Sequence, residues 1–297
     1  MKNIRSCINT IIEKLKNYTN VMILFIFSVL FLVSLYNLSQ IDRDGNLEVV
    51  FLDIGQGDSA LIKTESGQNL LIDTGPNYIT TQKFENSTND LMQGLDAIIL
   101  THPDSDHVGG TQEAVDSLIP KKLILSTENN YLDYKNIETK QVYRVNNSDN
   151  IVLDADLQLE ILSPVKNERG SDNHKSIVNR LVYGEFQFIF MGDADQETER
   201  EIVSSGYFDN NKSKARLKSI LKVGHHGSNT SSGEGFLKKL KPDYCVISVG
   251  KDNKYKHPSA EALIRLEKYC KNIYRTDRDG EVSFKTDGHS LYIKNSK

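Results

Sequence analysis

One short run of this sequence holds four side chains that could bind a metal. Residues 101–110 read Thr-His-Pro-Asp-Ser-Asp-His-Val-Gly-Gly and contain His102, Asp104, Asp106 and His107. Imidazole and carboxylate ligands at the end of a strand can hold a divalent ion with coordination positions left open for water. Because the four side chains follow a turning loop, they could serve two ions rather than one. The alternative is a polar loop whose acids cap the next helix, although a cap needs a single acid.

The residues around this metal loop predict alternating strands and helices. The predicted strands are Leu47–Leu52, Ala60–Lys63, Asn69–Ile72, Leu95–Leu100, 122–125, 157–162, 178–183, 186–191, 219–223 and 244–249. The predicted helices are Thr111–Leu118, 195–204, 233–240 and 259–270, with a closing hairpin after them. Gly-Asp at 192–193 and Gly-His-His-Gly-Ser at 224–228 each follow a strand. Candidate ligands therefore lie where strands end, as in layered α/β enzymes, and the order predicts two sheets between helical layers.

The chain has 297 residues, of which 38% are hydrophobic and 26% charged. This composition is typical of one globular domain of about 250 residues with an extension. The extension is N-terminal, where residues 18–41 carry no charge and four basic residues precede them. We therefore predict a cytoplasmic segment over 1–20, a transmembrane signal anchor over 21–39 and a folded domain over 43–297. A cleaved signal peptide is the competing interpretation, but no small-residue cleavage site follows the apolar core.

Two further compositional features leave alternatives open. Residues 212–278 contain 16 Lys and Arg against 6 Asp and Glu, whereas the whole chain has a net charge of −4. This basic region could face an anionic substrate, or it could be a set of solvated helix faces. The candidate substrate-binding cations are Lys212, Lys214, Arg216 and Lys218. The cysteines have no zinc-type spacing, so Cys245 and Cys270 are expected to be ordinary buried thiols.

Five ordered motifs carry a resemblance to a known family. They are Phe-Leu-Asp-Ile-Gly-Gln-Gly-Asp-Ser-Ala-Leu-Ile (51–62), Ile-Asp-Thr-Gly (72–75), the metal loop (101–110), Met-Gly-Asp-Ala (191–194) and Leu-Lys-Val-Gly-His-His-Gly-Ser (221–228). Together they resemble the metallo-β-lactamase fold and, more narrowly, the extracytoplasmic domain of ComEC-type DNA-uptake proteins. The resemblance spans about residues 46–294. It implies a four-layer αββα sandwich, which the predicted N-terminal transmembrane helix would precede.

The resemblance also implies a ligand set for two divalent metal ions. It makes His102 and Asp104 ligands of one ion and Asp106 and His107 ligands of the other, with Asp193 as the bridging carboxylate. An oxygen ligand at position 104, where many family members have His, leaves Mn²⁺ as credible as Zn²⁺.

Several histidines remain to be placed. One of His225 and His226 would complete the second metal site, and His226 is favoured because it directly precedes Gly227. His174 is the candidate for a further ligand between the metal loop and Asp193, although the ComEC-type pattern there is based on Asn and Ser. His257 would contact the substrate in a catalytic role, or else it begins the helix that follows.

Acidic residues are predicted to assist the ligands. Asp73 would be a buried acid that orients a histidine of the metal loop. The resemblance puts Asp58 beside the site as another supporting group, although turn chemistry alone could explain an acid there. Asp106 could also act catalytically by orienting the attacking water.

These inferences predict a metal-dependent hydrolase that uses a metal-activated water. The favoured substrate is an anionic phosphodiester, with DNA outside the cytoplasm as the first candidate. The predicted location is the cell membrane, with a single span and an extracytoplasmic catalytic domain. The alternatives are a hydrolase of cell-wall phosphodiesters or of a lactone or lactam ring, and a non-catalytic binding module on the same fold.

Overall fold

The structure is a computed structural model that describes residues 18–34, 46–88, 94–126, 141–154, 157–164, 170–208 and 216–297. The chain divides into two compact units, Met1–Asp44 and Gly45–Lys297. In the first unit, helix α1 spans residues 18–34 and is exposed along its length. Within these described ranges, no helix is long and apolar enough to cross a membrane. Residues 1–17 of the predicted cytoplasmic segment (1–20) and residues 35–39 of the predicted anchor (21–39) lie outside the described residues.

The second unit is built from two β-sheets. The strands of the first sheet are β1 (Leu47–Phe51), β2 (Ala60–Lys63), β3 (Asn69–Ile72), β4 (Ala97–Leu100), β5 (Lys122–Ser126), β6 (Val142–Val145), β14 (Val282–Thr286) and β15 (Leu291–Asn295). Those of the second sheet are β7 (Asn150–Asp154), β8 (Leu157–Ser163), β9 (Val178–Tyr183), β10 (Phe186–Phe190), β11 (Lys218–Lys222), β12 (Tyr244–Ile247) and β13 (Asn272–Arg275). The orders are β15-β14-β1-β2-β3-β4-β5-β6 and β13-β12-β11-β10-β9-β8-β7.

Each sheet combines an antiparallel part with a parallel part. Strands β3 to β6 are parallel in the first sheet, and β10 to β13 are parallel in the second. The strands that precede these runs, β1 to β3 and β8 to β10, are joined by antiparallel pairs. Because the carboxyl ends of parallel strands meet at one edge of a sheet, the loops that follow them converge there.

Helices connect most of the parallel strands. The helices described in this unit are α2 (Ile79–Ser87), α3 (Ser105–Val108), α4 (Thr111–Leu118), α5 (Gln196–Ser204), α6 (Glu234–Leu240), α7 (Ala260–Tyr269) and α8 (Thr276–Asp279). Helix α8 lies between β13 of the second sheet and β14 of the first. A single 3₁₀ turn over Gly224–Gly227 follows β11. Helices α4, α5 and α7 are amphipathic, so each buries one apolar stripe against a sheet.

Three apolar clusters show how the layers pack. The central cluster joins strands of both sheets and includes Phe51, Phe190 and Phe284. A second cluster lies between the first sheet and helices α2 and α4, with Phe84 contributed by α2. The third packs α5, α6 and α7 on the second sheet, with Phe236 contributed by α6. The two sheets sandwiched between helical layers that the sequence predicts are therefore confirmed.

The cysteine prediction was wrong. Cys245 in β12 and Cys270 at the end of α7 form a disulfide, and their Cα atoms lie 6.2 Å apart. The two residues are 25 positions apart in sequence, and packing of α7 on the second sheet brings them together. Spacing alone could not show this pairing, because connectivity depends on the tertiary fold.

Candidate metal centre

The candidate ligands lie on loops that follow strands of both sheets. The metal loop follows β4, the Gly192–Asp193 turn follows β10, and the turn Gly224–Gly227 follows β11. Two supporting segments, the turn after β1 and the residues after β3, belong to the first sheet. One edge of the sandwich therefore collects side chains from five strands.

Local backbone geometry holds the metal loop close to the segment after β3. The Thr74 N–H donates to the His107 carbonyl at 2.8 Å, and the Gly110 N–H donates to the Gly75 carbonyl at 2.9 Å. A Cβ on Gly110 would meet the carbonyl oxygens of Asn77 and Thr74, each at 2.5 Å. The glycine at position 110 therefore permits an approach that any side chain would prevent.

A buried carboxylate fixes the orientation of His107. Asp73 Oδ1 accepts from the Thr101 N–H at 2.8 Å, and Asp73 Oδ2 accepts from the Thr101 hydroxyl at 2.7 Å. The same Oδ2 lies 2.7 Å from His107 Nδ1. Because a carboxylate only accepts, the proton of this imidazole is on Nδ1. His107 Nε2 therefore has a free lone pair.

Two more imidazoles are oriented in the same way. His226 Nδ1 donates to the Ser248 carbonyl at 2.9 Å. His102 Nδ1 lies 3.1 Å from Thr101 Oγ1, whose own hydrogen is already given to Asp73. Thr101 Oγ1 therefore accepts from His102 Nδ1. In each ring Nδ1–H donates a hydrogen bond to a fixed acceptor. This is the usual arrangement for a metal-binding histidine that ligates through Nε2.

The free nitrogens converge on carboxylates. His107 Nε2 lies 3.1 Å from Asp193 Oδ1, and His226 Nε2 lies 3.8 Å from the same oxygen. His226 Nε2 is also 3.2 Å from Asp106 Oδ2. His107, His226 and Asp193 are almost fully buried, with exposed fractions of 0 to 2%. These four side chains could hold one cation.

A second group shares the other oxygen of Asp193. His102 Nε2 lies 3.6 Å from Asp193 Oδ2 and 3.6 Å from Asp104 Oδ2. His225 Nε2 is also 3.6 Å from Asp193 Oδ2. Asp193 thus faces one set of side chains with each carboxylate oxygen. His225 and His226 point toward these different groups because both have left-handed backbone angles, φ 47° and φ 51°.

Unpaired buried atoms test whether this arrangement fits a metal. Nε2 of His102, His107 and His226 and Oδ1 of Asp193 are buried without a hydrogen-bond partner in the described structure. A buried polar group without a partner costs about 1–3 kcal/mol, so four such atoms aimed at one another require compensation. The donor set of imidazole nitrogens and carboxylate oxygens suits a divalent transition metal. The residues present therefore fit the implied ions.

Asp58 lies on the other side of the imidazole rings. Its Oδ1 is 3.2 Å from His226 Nδ1, and its Oδ2 is 3.8 Å from His107 Nδ1. All four of Asp58, His107, Asp193 and His226 offer atoms within 4.8 Å of one another. Since the free lone pairs of both rings face Asp193 and not Asp58, Asp58 is placed to support the rings. It also forms a buried ion pair with Lys222.

The charges of this cluster shift the pKa values of its members strongly. Burial alone would lower the pKa of His107, but Asp193, Asp73 and Asp58 outweigh burial and raise it well above its ordinary value. For His226, Asp193 and Asp58 likewise overcome burial and raise the pKa to about 9. Burial favours a high pKa for Asp193, but His107, His226 and His102 hold it well below the usual range. The same negative potential would attract a metal cation, which would displace the Nε2 protons of these rings and bind the lone pairs of their neutral form.

His174 and His257 are placed differently from each other. His174 Nδ1 lies 3.2 Å from Asp195 Oδ1 and 3.0 Å from Thr198 Oγ1, at the start of α5. It therefore points to the helix terminus and away from Asp193. His257 packs against His225, with 5.7 Å between ring centroids. It lies at the rim of the centre.

Of the candidate substrate cations, the two that the structure describes, Arg216 and Lys218, do not reach this edge. Lys218 is the first residue of β11, whereas His225 and His226 follow the last, so Lys218 lies at the opposite end of the strand. It is 3.8 Å from Glu185, and Arg216 pairs with Asp243 at 2.6 Å. Lys212 and Lys214 lie outside the described residues.

Three site residues were missed by sequence reasoning: Lys222, Thr101 and Ser248. Lys222 is 3% exposed and ends β11 directly after the buried apolar residues Ile220 and Leu221. A charged residue in such a run, next to candidate ligands, is a signal that could have been used. Ser248 contributes only a carbonyl oxygen, for which the sequence has no signal.

The fold is similar to those of several solved structures. A metal-dependent hydrolase of the beta-lactamase superfamily matches with a TM-score of 0.52 and 15% identity, covering 77% of this chain and 95% of that structure. Unliganded yeast PDE1 also matches with a TM-score of 0.52, at 9% identity, covering 80% of this chain and 99% of that structure. At these identities the likeness shows the fold alone.

Sequence relatives are more specific. The ComE operon protein 3 of Bacillus subtilis is 30% identical over 262 residues, covering 80% of this chain and 33% of that protein. Competence protein ComA of Neisseria gonorrhoeae is 33% identical over 237 residues, covering 80% and 32% respectively. The chain thus spans about a third of the length of these curated relatives, and the ComEC-type resemblance is confirmed. The family model of the metallo-beta-lactamase superfamily matches residues 52–251, and the chain belongs to that superfamily.

Proposed function

We propose that this chain is a metal-dependent phosphodiesterase that hydrolyses DNA outside the cytoplasm. The observation that carries the proposal is the convergence of three free imidazole Nε2 atoms on the two oxygens of Asp193. The proposed ligands are His102, Asp104, Asp106, His107, Asp193, His226 and His225. Divalent ions held there would lower the pKa of a water molecule and stabilise negative charge developing on a phosphate.

Asp106 is the residue best placed to orient the attacking water. Burial favours a raised pKa, but the contact with His226 and the charge of His107 keep the pKa of Asp106 below its usual value. Its carboxylate therefore stays ionised at neutral pH and can accept a hydrogen bond from water. Its side chain is 23% exposed, whereas that of Asp193 is 2% exposed, so Asp106 is the more accessible of these two carboxylates to water.

His257 is placed to contact the substrate. Burial first, and then the charges of His225 and His226, lower its pKa, so the ring is neutral at pH 7. A neutral imidazole has one N–H that can donate to a phosphate oxygen.

Two observations support DNA and an extracytoplasmic location. Relatives over the same region bear names from competence and recombination, processes in which DNA is handled. The disulfide between Cys245 and Cys270 suits an oxidising compartment, since cytosolic proteins rarely keep disulfides. The membrane anchor over 21–39 stays a prediction from the sequence.

The test is cleavage of labelled single-stranded and double-stranded DNA by the purified chain with Mn²⁺, Zn²⁺ or a chelator. We expect metal-dependent cutting that His107→Ala lowers at least 100-fold, because the variant lacks a ligand at the centre. The matched control is His289→Ala, since the His289 side chain is 81% exposed and pairs with Glu185. It should cut at the wild-type rate.

Two outcomes would count against the proposal. Full activity of His107→Ala would show that the reaction does not use this cluster. Metal binding without cutting of either form of DNA would remove DNA as the substrate and direct the search to other phosphodiesters.

A further inference from the structure

The loop between β12 and α7 places cations and aromatic rings beside the candidate metal centre. Residues 250–257 read Gly-Lys-Asp-Asn-Lys-Tyr-Lys-His. The three lysines are exposed, and Tyr255 is 53% exposed. Among the described residues, no acid pairs with Lys251, Lys254 or Lys256. These cations are therefore available to an anionic ligand.

The loop is held rigidly although its surface is polar. Asn253 Nδ2 donates to the carbonyls of Gly250 at 3.0 Å and His257 at 2.7 Å, and Asn253 Oδ1 accepts from the His257 N–H at 2.9 Å. The Gly250 N–H donates to Gln56 Oε1 at 3.1 Å. A site on a loop tied at both ends pays little ordering entropy when it binds.

Three rings connect the loop surface to the centre. Tyr255 stacks on His257, with 5.9 Å between ring centroids and an interplanar angle of 15°. His257 lies 5.7 Å from His225, whose Nε2 is 3.6 Å from Asp193 Oδ2. The Ser259 N–H also donates to the Gly227 carbonyl at 2.9 Å, which ties the loop to the turn that carries His225. Tyr255 therefore lies beyond His257 in the series of rings that begins at His225.

We propose that Tyr255, with Lys254 and Lys256, forms a subsite that stacks one base of single-stranded DNA beside the phosphate held at the centre. This inference rests on the phosphodiesterase function proposed above. Aromatic side chains stack on any base, and neighbouring cations hold the backbone, as in other single-strand binding surfaces. Bases of a duplex are already stacked on one another, so the subsite favours single strands.

The positive charge of the loop favours single-stranded DNA over a ligand with a cationic head group. Lys254 Nζ lies 4.8 Å from the centre of the Tyr255 ring. Its flexible, exposed side chain can move to a phosphate when a base takes the ring face. A choline group would bring a further positive charge to a loop that already carries three lysines, and like charges repel.

The experiment measures steady-state cleavage by the full chain with Mn²⁺. The substrates are a single-stranded oligonucleotide and a strand of equal length whose sugars carry no bases. On the base-bearing strand, Tyr255→Ala should raise KM about tenfold or more while kcat changes less than about twofold. Tyr255→Phe should keep the wild-type KM, because the ring is retained. On the abasic strand, wild type and Tyr255→Ala should have equal KM values.

Matched controls test the surface itself. Tyr292 is 68% exposed on β15 and belongs to the other sheet, so Tyr292→Ala should leave both KM values unchanged. Lys254→Gln with Lys256→Gln should flatten the salt dependence of KM, whereas Lys294→Gln should not.

Each contrary outcome has a separate meaning. An unchanged KM for Tyr255→Ala on the base-bearing strand, with normal metal-dependent cutting by wild type, would overturn the subsite and leave the proposed function standing. The same would follow if Tyr255→Ala lost affinity equally for both strands. If wild type cut neither strand, the DNA phosphodiesterase function would fail and the subsite with it.

Discussion

At the scale of single residues, the candidate centre depends on which nitrogen of each imidazole carries the proton. Three different acceptors, a carboxylate, a carbonyl and a hydroxyl, receive hydrogen bonds from the Nδ1–H groups of His107, His226 and His102 respectively. Neutral imidazole has one proton, so fixing it on Nδ1 leaves Nε2 as an acceptor. The acceptors therefore prepare the ligands even though they would not touch a bound ion.

Asp73→Asn tests this interpretation. Asp73 has a left-handed backbone, φ 61°, which Asn adopts readily, so the variant should fold. An amide in place of the carboxylate can donate to Nδ1 and move the His107 proton to Nε2. We expect metal affinity to fall about 10- to 100-fold, as measured by calorimetric titration with Zn²⁺ or Mn²⁺.

The control for that variant is Asp96→Asn. Asp96 precedes β4, at the end of the sheet opposite the metal loop, and its carboxylate binds the Asn69 N–H and Lys121. The same chemical change there should leave metal affinity unchanged. Equal losses in the two variants would mean that the effect is one of general stability and not of His107 orientation.

At the scale of elements, the centre depends on how closely loops can approach one another. The metal loop lies on the segment after β3 through backbone hydrogen bonds from Thr74 and Gly110. Helix α4 begins directly after this contact, with Gly110 at its N-cap. Because Gly110 both contacts the segment after β3 and begins α4, a shift of this glycine would move α4 and the ligands of the metal loop together.

Substitution of two glycines by alanine should have opposite effects. In Gly110→Ala the new methyl would meet two backbone oxygens at 2.5 Å, and we expect a loss of about 1–3 kcal/mol in the free energy of unfolding. Gly235 lies inside α6 with nothing within 4 Å of an added Cβ. Gly235→Ala should therefore be neutral or stabilising by about 0.5–1 kcal/mol. Denaturant unfolding measures both, and a neutral Gly110→Ala would contradict the close approach.

The sequence predicted the elements that have clear apolar patterns and missed those that do not. Strands such as β4, with every residue buried, were predicted. Strand β6 was missed, because its first three residues are exposed and no alternation marks it. Helix α2 was missed because Thr and Asn, which are poor helix formers, occupy much of Ile79–Ser87. Whether segments of this kind form a strand or a helix is decided by their packing against the rest of the fold.

For the candidate site, local motifs predicted which residue types take part but not the directions in which their side chains point. The motifs identified His225 and His226 together, yet only the left-handed turn shows that the two rings face different oxygens of Asp193. The basic stretch predicted a substrate surface, but strand direction puts Lys218 at the far end of β11. Contacts between residues distant in sequence settle both questions, and one sequence contains no record of them.

At the scale of the folded unit, the candidate centre lies across the two sheets. The metal loop extends from the first sheet, whereas Asp193 and the two histidines extend from the second. The sheets are also joined by the apolar cluster between them and by the buried ion pair of Asp58 and Lys222. Ions bound by residues of both would add a polar link at the edge of the sandwich, so metal binding should stabilise the whole unit against unfolding.

Thermal unfolding with and without metal tests this link. Ligand at 100 times its Kd stabilises the folded state by about 2.7 kcal/mol, because it binds only that state. For a unit of this size we expect Zn²⁺ or Mn²⁺ to raise Tm by about 5–10 °C relative to chelator. Asp193→Asn should abolish most of that rise, since Asp193 contributes an oxygen to both groups. Asp116→Asn, an exposed change on α4, should keep it. A full rise in Asp193→Asn would place the stabilising metal elsewhere and would separate metal binding from the link between the sheets.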